Sequence, residues 1–425
     1  MKVLVIGSGG REHALVWKIK QSPLLSEIYC VPGNGGIQKL AECVYISMDD
    51  ISGLLEYVQN KQIDFTVVGP EQPLALGIVD AFEKNNLKIF GPNREAAQLE
   101  SSKGFAKQFM QKYNIPTAQF KLFDNYHEAH AYVQTQGCPI VIKTDGLAAG
   151  KGAVVCHEED HAFNTLKDMM LNETFGAAGK KVVIEEFLTG EELSVIAITD
   201  SKIIQPFVPA QDHKPVYDGD QGPNTGGMGS FTPVPFANQD FMNRVQEEIL
   251  DPVLDGLARQ DIAYKGILYA GLMATQSGPK VIEFNARFGD PETQAILPLL
   301  NIDLLELLML SSEGKLPNKS ITIRDGYCTC VVLASEGYPG NYEKDKMITG
   351  LEPDPNKDTI IFHAGTKLQD GKVFTNGGRV LGVSAYGKTL KSSIQKAYDG
   401  VEKIQFDGMF FRKDIGQKGL ESLEY

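Results

Sequence analysis

Short apolar runs alternate with segments of helical spacing along the first hundred residues. The runs that predict strands lie at 3–6, 28–31, 65–68 and 88–90, and Gly or Pro bounds each of them. This alternation predicts an α/β fold with a parallel sheet and helices on both faces. Ligands bind such sheets at the carboxyl ends of the strands, where these glycine turns lie.

Further strand patterns follow in the middle of the chain. Residues 182–187 and 193–199 predict two strands paired around the turn LTGEE, and residues 269–274 and 280–284 predict a second pair. The polar stretch 211–230 has almost no periodic apolar signal, which is typical of a long functional or disordered loop.

Length and charge narrow the class of protein. The chain has 425 residues, which suggests about three domains, and the glycine-rich strand patterns after residue 315 indicate a third, smaller unit. The net charge of −13 provides no field that would attract nucleic acid or an anionic membrane. The apolar runs at 3–6 and 304–310 are too short for a secretory signal or a membrane span.

The cysteine pattern favours a reducing compartment. Six cysteines in a chain of this length do not make a disulfide framework, and we expect a cytoplasmic location. Cys328 and Cys330 alternate with Thr329, which favours two positions on the same face of one strand over a metal site.

The loop GSGGRE at 7–12 follows the first strand and opens a helix, so its backbone N–H groups can bind an anion. Glu12 stands where a dinucleotide fingerprint needs glycine, and the second strand ends in Val31-Pro32-Gly33 without an acid for a ribose diol. A Rossmann-type oxidoreductase is therefore the rival from a different class. A turn that needs glycine only for its backbone is the simpler alternative.

The segment DGLAAGKGA at 145–153 has small residues that allow a backbone to wrap around a polyphosphate. Lys151 within it, Lys143 at the end of the preceding strand and Lys103 on the preceding helix supply positive charge. We predict that Gly146, Gly150 and Gly152 form a lid over the bound phosphates. Solvated surface lysines are the alternative.

Two more clusters follow in order. The string EEFL at 185–188 offers backbone groups to an adenine edge, and an acid a few residues later can bind a ribose. At 282–292, strand alternation places Glu283, Asn285 and Arg287 on one face. A carboxylate and an amide oxygen suit Mg²⁺, and the arginine can neutralise a transferring phosphoryl group. An edge strand with a solvated polar face is the alternative.

These residues, in this order, resemble the ATP-grasp superfamily. The strings VIGSGGREHAL, KTDGLAAGKGA, EEFLTGEE, QDHKPVYDGDQGPNTGGMG, EFNARFGDPETQ and FHAGTK more closely resemble the phosphoribosylamine–glycine ligase family, over essentially the whole chain. The resemblance implies that glycine's carboxylate attacks the γ-phosphate of ATP, giving glycyl phosphate and ADP. The amine of 5-phosphoribosylamine then displaces phosphate to form glycinamide ribonucleotide in purine biosynthesis.

The resemblance also implies a role for each matching residue. ATP contacts are expected from Lys103, Lys143, Gly150, Lys151, Gly152, Glu185, Glu186, Phe187, Leu188 and Glu192, with adenine on the backbone of Glu186 and Leu188 and ribose on Glu192. Mg²⁺ or Mn²⁺ is expected on Glu283 and Asn285, and catalytic contacts are expected from Arg287, Lys214 and Lys143. Contacts to glycine or phosphoribosylamine are expected from Gly9, Gly10, Arg11, Glu12, Asp212, His213, Asn224, Thr225, Gly226, Gly227, Arg287, Asp290, Pro291 and Glu292.

Several alternatives stay open within this resemblance. His213 is either a substrate contact or a neutral hydrogen-bonding residue of a loop. Many superfamily members carry another acidic metal ligand on the preceding strand, but 269–273 has no acid. Either the nucleotide and waters complete the coordination, or Asp290 or Glu292 helps. A ligase or carboxylase for other substrates and a non-catalytic relative are the remaining rivals.

The resemblance implies a domain organisation. We expect an N-terminal, Rossmann-like substrate-binding domain at 1–100, an ATP-grasp region at 101–315 with its lid at about 117–190, and a small α+β domain at 316–425. The expected partners are small molecules, namely ATP, glycine and 5-phosphoribosylamine. Neither nucleic acid nor a membrane is expected, and the chain is expected to be a monomer.

Overall fold

The computed structural model of the chain describes residues 1–148, 152–172, 174, 176–354 and 358–423. The strands are β1 (Lys2–Gly7), β2 (Glu27–Pro32), β3 (Glu42–Cys43), β4 (Phe65–Val68), β5 (Ile89–Phe90), β6 (Phe120–Phe123), β7 (Ile140–Thr144), β8 (Ala153–Cys156), β9 (Val182–Glu186), β10 (Glu191–Asp200), β11 (Ile204–Pro206), β12 (Gln211–Asp212), β13 (Pro215–Tyr217), β14 (Gln221–Asn224), β15 (Gly229–Thr232), β16 (Lys265–Thr275), β17 (Gly278–Asn285), β18 (Tyr327–Ser335), β19 (Met347–Ile348), β20 (Thr359–His363), β21 (Thr366–Gln369), β22 (Lys372–Thr375), β23 (Arg379–Gly387) and β24 (Met409–Phe410). The helices are α1 (Gly10–Ile19), α2 (Ile51–Lys61), α3 (Glu71–Leu76), α4 (Ile78–Lys84), α5 (Gln98–Ser101), α6 (Lys103–Lys112), α7 (Tyr126–Gln136), α8 (Glu159–Met170), α9 (Gln239–Val245), α10 (Asp251–Ala258), α11 (Glu292–Ile296), α12 (Leu304–Ser312), α13 (Leu390–Val401) and α14 (Gln417–Glu421).

The N-terminal strands form a parallel sheet in the order β3-β2-β1-β4-β5. This confirms the parallel α/β arrangement predicted from the alternation of apolar runs. The apolar side chains of β1 are fully buried, since the strand lies in the centre with neighbours on both sides. The two-residue strand β3 was not predicted because it is too short to show a period.

Two antiparallel sheets follow, in the orders β6-β9-β7-β8 and β11-β10-β16-β17. The prediction that 182–187 and 193–199 pair with each other is wrong. Strand β9 pairs with β6 and β7, whereas β10 pairs with β11 and β16. The chain passes between the sheets at Gly190, whose φ is +151°, and a Cβ there would lie 2.1 Å from the carbonyl oxygen of Ala274. Glycine is needed at this crossing because any side chain would clash.

The predicted pair at 269–274 and 280–284 is confirmed as β16 and β17. Their antiparallel register sets Gly271 opposite Glu283 and Tyr269 opposite Asn285. This register fixes which side chains stand beside the polar face of β17.

The polar stretch 211–230 is not a structureless loop, which corrects that expectation. It contains the short strands β12 to β15, and β12 and β15 join the C-terminal sheet in the order β12-β15-β18-β23-β20. Backbone hydrogen bonds between strands order this stretch, and such pairing leaves no pattern of apolar residues in the sequence. Cys328 and Cys330 lie on β18 as predicted, and Thr329 between them is also buried because α13 packs on the sheet.

No helix in the described ranges is long and apolar enough to cross a membrane. All six cysteines are free thiols.

The N-terminal and C-terminal sheets meet at two buried histidines. The backbone N–H of His363 donates to Nδ1 of His13 at 2.7 Å, and the His13 ring packs edge-on against Phe362. Burial lowers the pKa of His13 to about 3, assisted by the neighbouring His363, and burial with the charge of Lys39 lowers the pKa of His363 to about 4. Both rings are therefore neutral in the folded protein at neutral pH.

These histidines predict acid sensitivity of folding. The histidines of the unfolded chain bind protons near pH 6.5, whereas these two histidines of the folded chain do not. The free energy of unfolding is therefore fully retained above this pH and falls as the pH drops towards 4. We expect His13 to account for about 2 kcal/mol of lost stability between pH 6.5 and 5. In His13→Asn, whose Oδ1 can replace Nδ1 as acceptor, denaturant unfolding should show a smaller loss over this interval. In the exposed control His127→Asn, the free energy of unfolding should vary with pH as it does in the wild type. The same pH dependence in His13→Asn would contradict the assignment of the acid sensitivity to His13.

Candidate active site

A cavity of about 400 Å³ lies where helices of the N-terminal unit, the two antiparallel sheets and the 211–230 segment meet. Residues from β7, β9 and β17 form its walls, and helices α1 and α3 and strand β23 contribute the side chains of Arg11, Glu71 and Arg379. The cavity therefore collects residues that are far apart in the sequence.

The described parts of the glycine-rich segment, 145–148 and 152–153, lie at one wall, next to the start of α6. Lys103 Nζ donates to the carbonyl oxygen of Gly146 at 3.1 Å, and Oδ1 of Asp145 accepts from Ser102 Oγ and Gly104 N, both at 3.0 Å. Gly152 lines the cavity with Lys103. Gly150 and Lys151, predicted to contact ATP, lie outside the described residues.

Lys143 at the end of β7 is buried against the same cavity. Its Nζ donates to Glu185 Oε2 at 3.0 Å and to the carbonyl oxygen of Ile282 at 2.9 Å. A second buried lysine, Lys107, contacts the same Oε2 at 2.9 Å and was not predicted. The signal that would have found it is its spacing, because Lys107 lies one helical turn after Lys103 and on the same face of α6.

The hinge between the two antiparallel sheets forms the apolar end of the cavity. Glu186, Phe187 and Leu188 line it together with Val141, Val155 and Met273. The N–H of Glu186 donates to the carbonyl oxygen of Gln119 at 2.9 Å, so that donor is already used within the protein. Among the described residues, Oε1 of Glu185 is buried with no hydrogen-bond partner, leaving an acceptor for a ligand donor.

Glu192, predicted to bind ribose, pairs with Lys214. The distance from Lys214 Nζ to Glu192 Oε2 is 3.0 Å, and the glutamate side chain is about half exposed at the cavity rim. Burial would lower the pKa of Lys214, but the carboxylates of Glu192 and Glu283 raise it well above its ordinary value. Lys214 is therefore a fixed positive charge beside the polar face of β17.

Glu283 and Asn285 both line the cavity from β17. Burial alone would raise the pKa of Glu283, but the surrounding cations, led by Lys214 and Lys103, lower it, so the carboxylate is ionised. An ionised carboxylate and an amide oxygen two residues apart fit a hard divalent cation. Gly271 stands opposite Glu283, and the described residues contain no group of three or more His, Cys, Asp or Glu side chains able to hold a metal.

Arg287 lies between two carboxylates that were not predicted. Its Nε is 3.2 Å from Glu71 Oε2 and its Nη2 is 3.1 Å from Glu100 Oε1, while the other oxygen of Glu100 accepts from Ala286 N at 2.7 Å. Burial raises the pKa of Glu100 to about 7, although Arg287 opposes this shift. The N-terminal third of the chain thus fixes the position of the arginine.

Asp212 and Glu292 stand close together at the opposite end. Oε1 of Glu292 accepts from Ser194 Oγ at 2.8 Å and from Tyr269 OH at 3.0 Å. Burial and the charge of Glu292 raise the pKa of Asp212 well above its ordinary value. This end of the cavity places two carboxyl groups beside hydroxyl groups, and it is suited to hydrogen bonding with an amine.

Asp290 is tied to the C-terminal sheet by Arg379, another residue that was not predicted. Arg379 Nη1 is 3.3 Å from the Asp290 carboxylate and donates to the carbonyl oxygens of Gly226 and Gly227. The predicted residues Asn224, Thr225, Gly226, Asp290 and Glu292 line the cavity with Arg379. Gly227 and Pro291 support this wall, since a Cβ on Gly227 would lie 2.4 Å from Cδ of Pro291.

His213 faces away from this wall. Its Nε2 accepts from the N–H of Gly416 at 3.3 Å, which leaves the proton on Nδ1 to donate to the carbonyl oxygen of Gly229 at 3.2 Å. Burial and the charge of Arg412 lower the pKa of His213 to about 4. The structure therefore favours the hydrogen-bonding alternative for His213, because both ring nitrogens are engaged by backbone groups. A substrate contact of His213 stays a prediction.

The loop before α1 contributes Arg11 to the cavity. Arg11 donates to the carbonyl oxygen of Phe288 at 3.1 Å and pairs with Glu12 at 2.5 Å. Glu12 is buried, and its other oxygen accepts from Gly9 N at 2.6 Å. The Glu12 side chain therefore caps its own helix, and a substrate contact of Glu12 stays a prediction. Gly9 and Gly10 give room to the side chains of Glu12 and Gln294.

Comparisons with known proteins account for this arrangement. Family models described as Phosphoribosylglycinamide synthetase match in three parts: the N domain at residues 1–100, the ATP-grasp (A) domain at 101–293 and the C domain at 328–418. A phosphoribosylamine–glycine ligase of Caldanaerobacter subterraneus subsp. tengcongensis is 51% identical over 98% of this chain and 99% of its own length. A ligase of the same name from Yersinia pestis is 48% identical over 99% of each chain.

Solved structures agree with the sequence comparisons. The crystal structure of a phosphoribosylamine–glycine ligase from Thermotoga maritima has a TM-score of 0.86 and 35% identity, and the match covers 98% of this chain and 100% of that one. A biotin carboxylase complex from Campylobacter jejuni shares the fold at a TM-score of 0.74 with 16% identity, covering 100% of this chain and 95% of that one. The ATP-grasp fold and the resemblance stated from the sequence are confirmed, and the chain belongs to the phosphoribosylamine–glycine ligase family.

Proposed function

We propose that this enzyme uses ATP to join glycine to 5-phosphoribosylamine. Glycine's carboxylate attacks the γ-phosphate to give glycyl phosphate and ADP; the amine then attacks the acyl carbon and releases phosphate, forming glycinamide ribonucleotide. The observation that carries the proposal is the single cavity in which Lys103, Lys143, Glu283, Asn285 and Arg287 converge, in a chain of this family.

The nucleotide occupies the hinge end of the cavity. Apolar side chains from β7, β8 and β16 surround the base, and the unpartnered Oε1 of Glu185 accepts from an amino group on it. Lys103 and Lys143 then lie where the phosphates extend, and they neutralise charge that accumulates during phosphoryl transfer. Glu192 binds the ribose after exchanging its ion pair with Lys214.

Glu283 and Asn285 would hold Mg²⁺, or Mn²⁺ in its place. Such an ion supplies charge neutralisation to the phosphate oxygens when it is bound. Asp290 and Glu292 already have protein partners in Arg379 and Tyr269, which leaves Glu283 and Asn285 as the side chains that would hold the ion. Arg287 and Lys214 stabilise the transferring phosphoryl group beside the polar face of β17.

The amine and the glycine bind at the end formed by Arg11, Asp212, Asn224–Gly226, Asp290 and Glu292. Positioning is the main contribution of these residues to catalysis. Two substrates held in reacting geometry no longer lose the entropy of a bimolecular encounter in the reaction step. Residues 145–148 and 152–153, the described ends of the predicted lid, border the phosphate side of the cavity and help to exclude water, which would hydrolyse the acyl phosphate.

We further propose the domain limits 1–100, 101–315 with a lid at about 117–190, and 316–425, with β12 and β15 crossing into the C-terminal sheet. The enzyme is a monomer in the cytoplasm. Its partners are small molecules.

The activity is tested with phosphoribosylamine generated in the assay. With glycine, ATP and Mg²⁺, the purified protein should release ADP and phosphate in equal amounts with glycinamide ribonucleotide, which mass spectrometry detects. Other amino acids and bicarbonate serve as controls, because the shared fold of biotin carboxylase makes carboxylation the competing chemistry. Absence of the amide product, or ADP release that follows bicarbonate instead of glycine, would contradict the proposal.

A further inference from the structure

Two buried lysines share a single carboxylate oxygen beside the cavity. Lys107 Nζ and Lys143 Nζ lie 2.9 and 3.0 Å from Oε2 of Glu185, and the side chains of all three are at most 4% exposed. Two ammonium groups and one carboxylate carry a net charge of +1. Burying an unpaired charge of this kind is costly, which indicates that the excess charge has a use.

The two lysines are anchored to the strand that carries the metal ligands. Lys143 donates to the carbonyl oxygen of Ile282, and Lys107 donates to Oγ1 of Thr117 at 2.7 Å. The hydroxyl of Thr117 in turn donates to the carbonyl oxygen of Val281 at 2.6 Å. Because the hydroxyl proton is used for Val281, Thr117 can only accept from Lys107, so the ammonium is fixed in place.

We infer that Lys107 is a positioning residue for ATP: it shares the carboxylate of Glu185 with Lys143 and so leaves the Lys143 ammonium able to attract the phosphates. This inference rests on the proposed function, in which Lys143 contacts ATP. Without Lys107, the full charge of Glu185 pairs with Lys143, and the buried group becomes neutral. Lys143 then attracts the phosphates less strongly because its charge is already compensated.

The surroundings of Lys107 make this charge responsive to pH. The charged groups that face it from the described elements are Glu185, Glu186 and Lys143, and the ring of Phe120 lies 5.9 Å from its Nζ. Burial lowers the pKa of Lys107 to about 8, although Glu185 opposes the shift. Above this pH the wild-type enzyme loses the same charge that a neutral substitution removes.

The test compares Lys107→Gln with the wild type. Glutamine keeps a donor for Thr117 and removes the charge, and we expect KM for ATP to rise about tenfold at pH 7 with a smaller change in kcat. The ratio of the two KM values should fall towards one as the pH rises from 7 to 9. The matched control is Lys112→Met, an exposed lysine on the same helix, which should leave KM unchanged.

A double-mutant cycle with Glu185→Gln separates positioning from direct contact. If Lys107 acts through Glu185, adding Lys107→Gln to Glu185→Gln should raise KM for ATP by less than about twofold. An unchanged KM in Lys107→Gln, a ratio that does not vary with pH, or full additivity in the cycle would overturn the inference.

Two further measurements keep the test decisive. Lys107→Met serves as the second variant if Lys107→Gln melts below the assay temperature, and the rise of the wild-type KM through pH 8 requires no variant. Calorimetric Kd values for ATP are measured on the same proteins. Loss of ATP affinity in Lys107→Gln supports the inference even if wild-type enzyme makes no amide, whereas amide formation with unchanged ATP affinity contradicts only the inference.

Discussion

Glu283→Gln should lower kcat for glycinamide ribonucleotide formation by about two orders of magnitude or more, while the protein stays folded. The substitution keeps the shape of the side chain but removes the negative charge that, with Asn285, holds the divalent cation. The cations around Glu283 lower its pKa, so the wild-type residue is charged at assay pH and the loss is complete. Steady-state kinetics over a range of Mg²⁺ concentrations provide the measurement, and the apparent affinity for Mg²⁺ should weaken in parallel.

The matched control for this change is Glu306→Gln on α12, an exposed glutamate away from the cavity, which should behave as the wild type. Melting temperatures of both variants show whether the fold is retained. Wild-type activity in folded Glu283→Gln would show that the metal is bound elsewhere. A lower kcat with unchanged dependence on Mg²⁺ would instead show that Glu283 acts through its charge on the neighbouring lysines and not by binding the metal.

The polar face of β17 could be predicted from the sequence because a strand has a fixed period of two. Glu283 and Asn285 had to share a face once residues 280–284 were recognised as a strand, and the cavity lies on that face. The parallel N-terminal sheet was predictable for a related reason, since each strand is a short apolar run ended by glycine or proline. The local sequence pattern is sufficient to predict a feature when all of its residues lie on one strand or helix.

Local pattern does not identify the partners that hold these residues. Glu71, Glu100, Lys107 and Arg379 come from four different elements, and each contacts its partner only when the elements pack together. The incorrect pairing of 182–187 with 193–199 has the same origin. Alternation identifies both strands, but the choice of partner depends on Gly190, which directs the chain from one sheet into the other.

His213 illustrates the opposite limit. Its position in the string QDHK favoured substrate contact as much as a structural role, because a loop without apolar periodicity gives no sign of burial. The segment is instead paired into the C-terminal sheet, and backbone groups of Gly229 and Gly416 occupy both ring nitrogens. Motif matching therefore locates the segment, whereas the direction of a side chain within it requires the tertiary structure.

Arg287→Lys should reduce kcat/KM by about 100-fold or more although the positive charge is retained. The guanidinium reaches Glu71 through Nε and Glu100 through Nη2 at once, and this fork fixes where its remaining N–H groups point. A lysine ammonium is a single point charge, so it cannot hold both carboxylates and still meet the phosphoryl group.

The control for Arg287→Lys is Arg244→Lys, which alters an exposed pair with Glu248 and should change neither activity nor melting temperature by a measurable amount.

In Arg287→Lys, Glu100 loses part of its charge compensation. Because burial already raises the pKa of Glu100 to about 7, it should be protonated at neutral pH in the variant, which limits the loss of stability. We therefore expect a large kinetic defect with a modest fall in melting temperature. Activity within about threefold of the wild type would exclude Arg287 from phosphoryl transfer, and unfolding at assay temperature would show that the ion pairs with Glu71 and Glu100 serve mainly the fold.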